Sequence, residues 1–311
     1  MWFIRHMSSK RFVYKRFFAV FLTAALSTCL AGCNLKRLVI KSSYVMVEEA
    51  MNSFFEEEDT ILAAQAAPAN LKLIEGMARG DPENSEVQIA AAKLIGMYSF
   101  GFLEDCCEDE QEQARADQRA KKLYLRARNY AIRVLQQHVD FKAMMQLELE
   151  AFRKELKVFD EEHVPELLWA AFNWGLYINL SRDDISAVAD LAKVAAMTER
   201  VVELDEGYFY GTAHLFLMVY YGSVGKVLGG DPEKAKEEYE KAWKLSGKKF
   251  LMIKYLFAKY YCQQTLDQPL FEKLLKEIIN APEDLLPEQT LSNTLAKQKA
   301  ARLLKQTEDI F

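Results

Sequence analysis

The chain has 311 residues, half of them apolar and 27% charged, with 13 glycines, 7 prolines and a formal net charge of −5. An acidic balance argues against holding nucleic-acid phosphates. Long breaker-free stretches rich in Ala, Leu, Lys, Glu and aromatic residues point to an all-α protein.

Residues 1–33 read as a lipoprotein export signal. Arg5, Lys10, Arg11, Lys15 and Arg16 precede an apolar run from Phe17 to Leu30, which closes on Ala31-Gly32-Cys33. A basic start, a short apolar middle and a small-residue exit make a secretory signal. The run is shorter than the ~20 residues a spanning helix needs. The small pair before Cys33 adds the lipoprotein cleavage pattern, with the cysteine thiol taking the lipid. The expected organisation is a signal peptide over 1–32, a lipidated tether over 33–42 and one helical-repeat domain over 43–311. Such a protein is periplasmic and anchored through acyl chains to a bacterial membrane. Cleavage would remove five basic and no acidic residues, moving the net charge from −5 to −10.

Helical patterning begins at about Ser43, where Tyr44, Val47, Met51, Phe54 and Phe55 recur at three- and four-residue steps. The run Glu56-Glu57-Glu58-Asp59 that follows reads as solvated surface. Helix boundaries are expected at Gly80-Asp81-Pro82-Glu83, Gly229-Gly230-Asp231-Pro232-Glu233 and Ala281-Pro282-Glu283-Asp284. Each combines a stop, a capping acid or a first-turn proline, and acid in the first turn. The segment Glu104 to Glu112 has no basic residue and reads as an acidic surface loop carrying Cys106-Cys107. No histidine lies beside that pair and no CxxC spacing exists, so metal is not expected there. With Cys29 lost and Cys33 lipidated, Cys106, Cys107 and Cys262 remain, an odd number, with a bridge to Cys262 left open.

The strongest repeat signal is Ala235, Tyr239 and Ala242, the small-aromatic-small pattern of a tetratricopeptide second helix. Small residues let paired helices approach, and the aromatic fills the gap to the next pair. Fainter copies lie at Ala120-Tyr124-Ala127, at Val194-Thr198-Val201 and at Leu270-Leu274. The step from Ala235 to Leu270 is 35 residues, near the ~34 of that repeat. The other steps, 41 and 74 residues, are irregular, with extra helical material around 139–159. The predicted fold is therefore an all-α, tetratricopeptide-like solenoid of about twelve helices with degenerate repeats and a C-terminal capping helix.

First helices of such pairs line the inner face of the solenoid. Here they are unusually aromatic. They are either central helices covered on both sides or the wall of an apolar groove for an elongated hydrophobic molecule or a partner helix. Candidate wall residues are Trp169, Trp174, Tyr177, Phe209, Tyr210, Phe216, Tyr220 and Tyr221, the Trp and Tyr rings among them having polar tips that suit a wall that is sometimes wet. Asn173 and Asn179 are the candidate peptide-backbone clamps. No metal cluster, phosphate-binding glycine loop or nucleophile elbow is present, and His138, His163 and His214 fall one per segment. Neither catalysis nor a cofactor or metal is expected.

Several segments together are similar to one family. They run from Leu168-Trp169 and Trp174-Gly175 through Val188-Ala189-Asp190-Leu191, Val202-Glu203-Leu204-Asp205 and Leu228-Gly229-Gly230-Asp231-Pro232-Glu233. They continue in Leu286-Pro287-Glu288-Gln289, Asn293, Ala296-Lys297, Ala300-Ala301, Leu303-Leu304, Asp309 and Phe311. Upstream, Tyr124 to Arg133 adds to the likeness. Over roughly residues 85–311 the chain resembles the TatT family, periplasmic lipoproteins that are the T components of tripartite ATP-independent periplasmic (TRAP) transporters, its spirochaetal member included. The resemblance implies a homotrimeric ring in which each protomer engages a solute-binding protein and offers a hydrophobic cleft or pore to a hydrophobic ligand beside the membrane permease. Two other readings are a scaffold lipoprotein that holds an extended peptide during envelope assembly, and an envelope hydrolase with titratable groups converging in the groove.

Overall fold

The computed structural model describes residues 39–40, 44–223, 225, 227 and 229–311. The export signal, Cys33 and nearly all of the 33–42 tether lie outside the described residues. Every regular element among the described residues is helical. None of these helices is long and apolar enough to cross a membrane.

Helix α1 covers residues 44–55. It is followed by α2 (Thr60–Gly80), α3 (Ser85–Phe102), α4 (Glu110–Leu135), and two short helices, α5 (Phe141–Met144) and α6 (Leu149–Glu155). The central elements are α7 (Val164–Asn179), α8 (Ile185–Ala189), α9 (Leu191–Asp205), α10 (Tyr208–Ser223) and α11 (Pro232–Leu245). The chain closes with α12 (Met252–Leu256), which runs on into a π-helical segment (Phe257–Cys262), then α13 (Gln268–Ile279), α14 (Thr290–Lys305) and α15 (Thr307–Ile310).

Short polar side chains set the starts of these helices by accepting from otherwise unpaired first-turn N–H groups. Asp59 caps α2 through Ile61 and Leu62 at 2.9 and 3.1 Å, and Asp231 caps α11 ahead of Pro232. At the Gly80–Glu83 boundary the cap is Asn84, not the aspartate before the proline.

The helices pair in chain order: α3 with α4, α7 with α9, α10 with α11, and α12 and its π segment with α13. Short connections make such pairs antiparallel. The second-helix pattern sits at the pair interfaces: Ala120, Tyr124, Ala127, Val194, Thr198, Val201, Ala235, Tyr239 and Ala242 are all buried. The Tyr239 ring stacks on Phe257 at 4.0 Å, joining one pair to the next. The array then curls back on itself. Helix α14 packs on α13 and α12 and also reaches α2, where Gln298 donates to the Thr60 hydroxyl at 3.0 Å. The expected terminal cap is thus a closing helix, and the first helices become the inner wall of a short closed turn.

Candidate functional site

Inside that turn is an apolar cavity of about 290 Å³, near the lower end of the range for small-molecule sites. Its wall comes almost wholly from first helices. Met97 and Phe100 come from α3, Trp169, Phe172, Gly175, Leu176, Ile178 and Asn179 from α7, and Phe209, Thr212, Leu215, Phe216, Val219, Tyr220 and Ser223 from α10. Phe250, Met252, Leu256 and Tyr260 come from the α12 region. A side chain at Gly175 would overlap the Phe216 ring, so glycine lets that ring come close against α7. The same device operates one layer out, where Asn173 lies directly on Gly96.

Four of the predicted wall rings, Trp169, Phe209, Phe216 and Tyr220, line the cavity, and the other four do not. Trp174 is buried toward α4, with the Arg128 guanidinium 5.2 Å from its ring. Tyr177 is half-buried on that same side of the core. Tyr210 leans on Phe250 from outside, at 5.6 Å. Tyr221 turns its hydroxyl to Glu199 at 3.3 Å, and burial together with that carboxylate pushes the phenol up to about 12. The helical period separates the two sets: Trp169, Phe172, Leu176 and Asn179 form one stripe of α7, and Trp174 faces away from it. Counting strictly from Trp169 identifies the stripe in the sequence.

The start of α10 is not an ordinary helix. Phe209, Tyr210 and Gly211 all have left-handed backbone, with φ of 46°, 61° and 72°, which costs a non-glycine residue of the order of 1 kcal/mol or more. The turn sets the Phe209 ring against Trp169 at 5.2 Å. Behind both rings stands Lys93, its amine 4.4 Å from the Phe209 centroid and 5.8 Å from that of Trp169. Burial pulls this amine down to about 8.

The polar atoms gather at the opposite end. Asn179 donates through Nδ2 to the Tyr260 hydroxyl at 3.0 Å, and its Oδ1 accepts from Arg182 Nε and Nη2 at 3.2 and 2.5 Å. Tyr260 belongs to the π-helical segment, where the widened turn moves the side chain out of ordinary helical register; such segments recur at functional sites.

Phe100 and Tyr260 also border a buried ionic cluster, which corrects the reading of Glu104 to Glu112 as wholly solvated. Residues 108–112 are exposed, but Glu104 is buried and Asp105 half-buried. The Glu104 carboxylate accepts from the Tyr124 hydroxyl, and its backbone carbonyl accepts from Lys299 Nζ. Asp105 accepts from Lys259 at 2.6 and 2.8 Å and from Tyr255 at 2.9 Å, while Arg302 donates to its carbonyl at 2.8 Å. Burial pushes Glu104 up to about 7. Burial would raise Asp105 too, but Lys259 and Lys299 hold it down to about 2.

The remaining sequence candidates are placed as follows. Cys106, Cys107 and Cys262 are free thiols, so the bridge left open does not form. Among the described residues no group of three metal-ligating side chains converges. His138 and His163, distant in sequence, meet edge to face at 4.4 Å. His214 is buried against Glu238, with Glu206 at 3.3 Å from its other nitrogen. Asn173 is fully buried and donates to the Ala92 and Trp169 carbonyls at 3.2 and 2.7 Å, so it is no peptide clamp.

The family model described as TRAP transporter T-component matches residues 56–311. A protein of Treponema pallidum (strain Nichols), described only as uncharacterized, is 26% identical over 321 residues, covering 92% of this chain and 96% of its own length.

Proposed function

The chain belongs to the TRAP transporter T-component family, and on that premise we propose that it is a lipid-anchored periplasmic adaptor, not an enzyme. In this reading Cys33 carries the anchor, protomers associate as a homotrimeric ring, and each docks the solute-binding protein of its transport system near the membrane permease. The cavity gives a hydrophobic ligand a place screened from water. The observation that carries the reading is this apolar space walled by first helices, with Trp169, Phe209, Phe216 and Phe250 among its lining.

Burial of each methylene is worth about 0.8 kcal/mol, so an apolar station lowers the cost of moving a hydrophobic cargo between proteins across water. A small cavity keeps the total modest, which suits a site that must also release. The peptide-scaffold reading loses one of its two supports, because Asn173 is spent inside the core.

The test is sedimentation of the purified protein with the solute-binding protein of its own TRAP system. A complex is expected at micromolar concentration, and its absence there would overturn the adaptor role. In cells, Cys33→Ala should release the protein from the membrane and lower transport.

A further inference from the structure

The cavity has a direction. The starts of α7, α10 and α12 lie together, as the Trp169–Phe209 and Tyr210–Phe250 ring contacts at 5.2 and 5.6 Å require. Their finishing ends lie together too, joined by the Asn179–Tyr260 hydrogen bond at 3.0 Å. Trp169, Phe209 and Phe250 line the first end with rings, the Lys93 amine standing behind two of them and outside the wall; Asn179, Arg182, Ser223 and Tyr260 make the second end polar. Trp169 and Asn179 are ten residues apart on α7, which at 1.5 Å per residue separates the ends by about 15 Å. A volume of 290 Å³ drawn out over that length is a narrow channel. It holds about ten water- or methylene-sized groups at ~30 Å³ each.

The polar end is built from donors. Among the described lining residues there is one cation, Arg182, and no carboxylate, in a chain where acids outnumber bases 45 to 40. Arg182 touches only the neutral Asn179 amide through Nε and Nη2 and makes no ion pair among the described residues. Because the Tyr260 oxygen already accepts from Asn179, its own proton is left to donate. Burial raises the Tyr260 phenol; Lys259 and Arg182 pull it down while Glu104 and Asp105 push it up, and behind it three cations, Lys259, Lys299 and Arg302, face these two acids. The half-charge of a helix C-terminus opposes an anion at this end. The exposed Arg182 guanidinium opposes it with a full charge and a planar fork suited to carboxylate.

We propose that the cavity takes a single-chain amphiphile of about ten carbons, its tail directed toward Trp169 and Phe209 and its anionic carboxylate on Arg182 and Tyr260. This rests on the reading of the cavity as a ligand site and adds the chemical class of the ligand. Arg182 sets the preference for a charged head, and the aromatic end sets the length.

The experiment is displacement of the neutral fluorophore Nile red from the purified protein by decanoate, decanol and decyltrimethylammonium. Decanoate should bind at least tenfold more tightly than decanol, and the cationic amphiphile should bind most weakly. Arg182→Gln should bring decanoate to the level of decanol while leaving decanol within twofold, and Arg182→Lys should restore part of the difference. Val219→Trp, which fills the middle of the channel, should abolish binding of all three with circular dichroism unchanged. Equal binding of decanoate and decanol by the unmodified protein, or a preference that survives in Arg182→Gln, would overturn the anionic-head assignment and leave the cavity reading standing. Undiminished binding in a folded Val219→Trp variant would overturn both.

Discussion

Two interiors lie back to back in this protein, sharing Phe100 and Tyr260 as a party wall. On one side is the channel between α7, α10 and α12, apolar and open. On the other is the cluster of Glu104, Asp105, Lys259, Lys299 and Arg302, charged and filled. Away from Asn179, Arg182 and Tyr260 the walls of the first are largely apolar, so side chains need not fill it and only dispersion contacts are forgone. The second has no room for vacancy, because each buried polar group left without a partner costs kilocalories. The contrast assigns tolerance of change to the channel and intolerance to the cluster. It also places charges of both signs just behind Tyr260, one of the two rings that belong to both.

The largest effect should come from breaking the charged side. Lys299→Met leaves the buried Glu104 carbonyl without its donor and removes one of the cations holding Asp105 down. A loss of about 3 kcal/mol is expected in urea denaturation at neutral pH, and a loss under about 1 kcal/mol would show that the cluster is not a structural unit.

Next comes the pH response of Glu104, whose ordinary value of 4.5 is raised to about 7 by burial. The folded state therefore holds this proton where the unfolded chain has lost it. The associated stability is complete below pH 4.5 and disappears as pH rises toward 7. Relative to Glu104→Gln, the unmodified protein should lose about 2 kcal/mol between pH 5 and pH 8. Parallel stability curves for the two proteins over that range would contradict the assignment.

On the apolar side, Gly175→Ala drives a methyl group into the Phe216 ring. The ring can escape only into the channel, so the expected cost is about 1.5 kcal/mol, accompanied by loss of Nile red binding. Retained binding in this variant would mean that the ring has another way out. The smallest effect is expected at Lys305–Glu108, an exposed pair at 3.5 Å on the rim of the charged region. Glu108→Ala should change stability by less than about 0.5 kcal/mol, which separates the buried cluster from the acidic loop it adjoins.

The two interiors were unequally legible. Ala235, Tyr239 and Ala242 announce a close helix pair because small residues at that spacing serve little else, and their burial follows the pattern. The aromatic first helices announce an apolar wall, although only strict periodicity separates Phe172 and Leu176, which line it, from Trp174, which does not. The ionic cluster was illegible. Glu104 and Asp105 sit in a run of acids that reads as surface, and their partners Lys259, Lys299 and Arg302 stand 150 to 200 residues downstream. The left-handed turn at Phe209–Gly211 was equally hidden, since Tyr-Phe-Tyr carries no preference for positive φ and Gly211 alone hints at it.

By itself, the sequence determined the helical class, the pairing of helices and the membership in a transporter-component family, because local periodicity and small-residue spacing encode which faces are buried against immediate neighbours. The tertiary structure alone decided that the array curls until α14 meets α2, that an apolar channel is left at its centre, and that its polar end converges on Arg182 and Tyr260. Closure sums many small angles between helices and brings together groups far apart in the chain, and no local pattern records where such a sum ends.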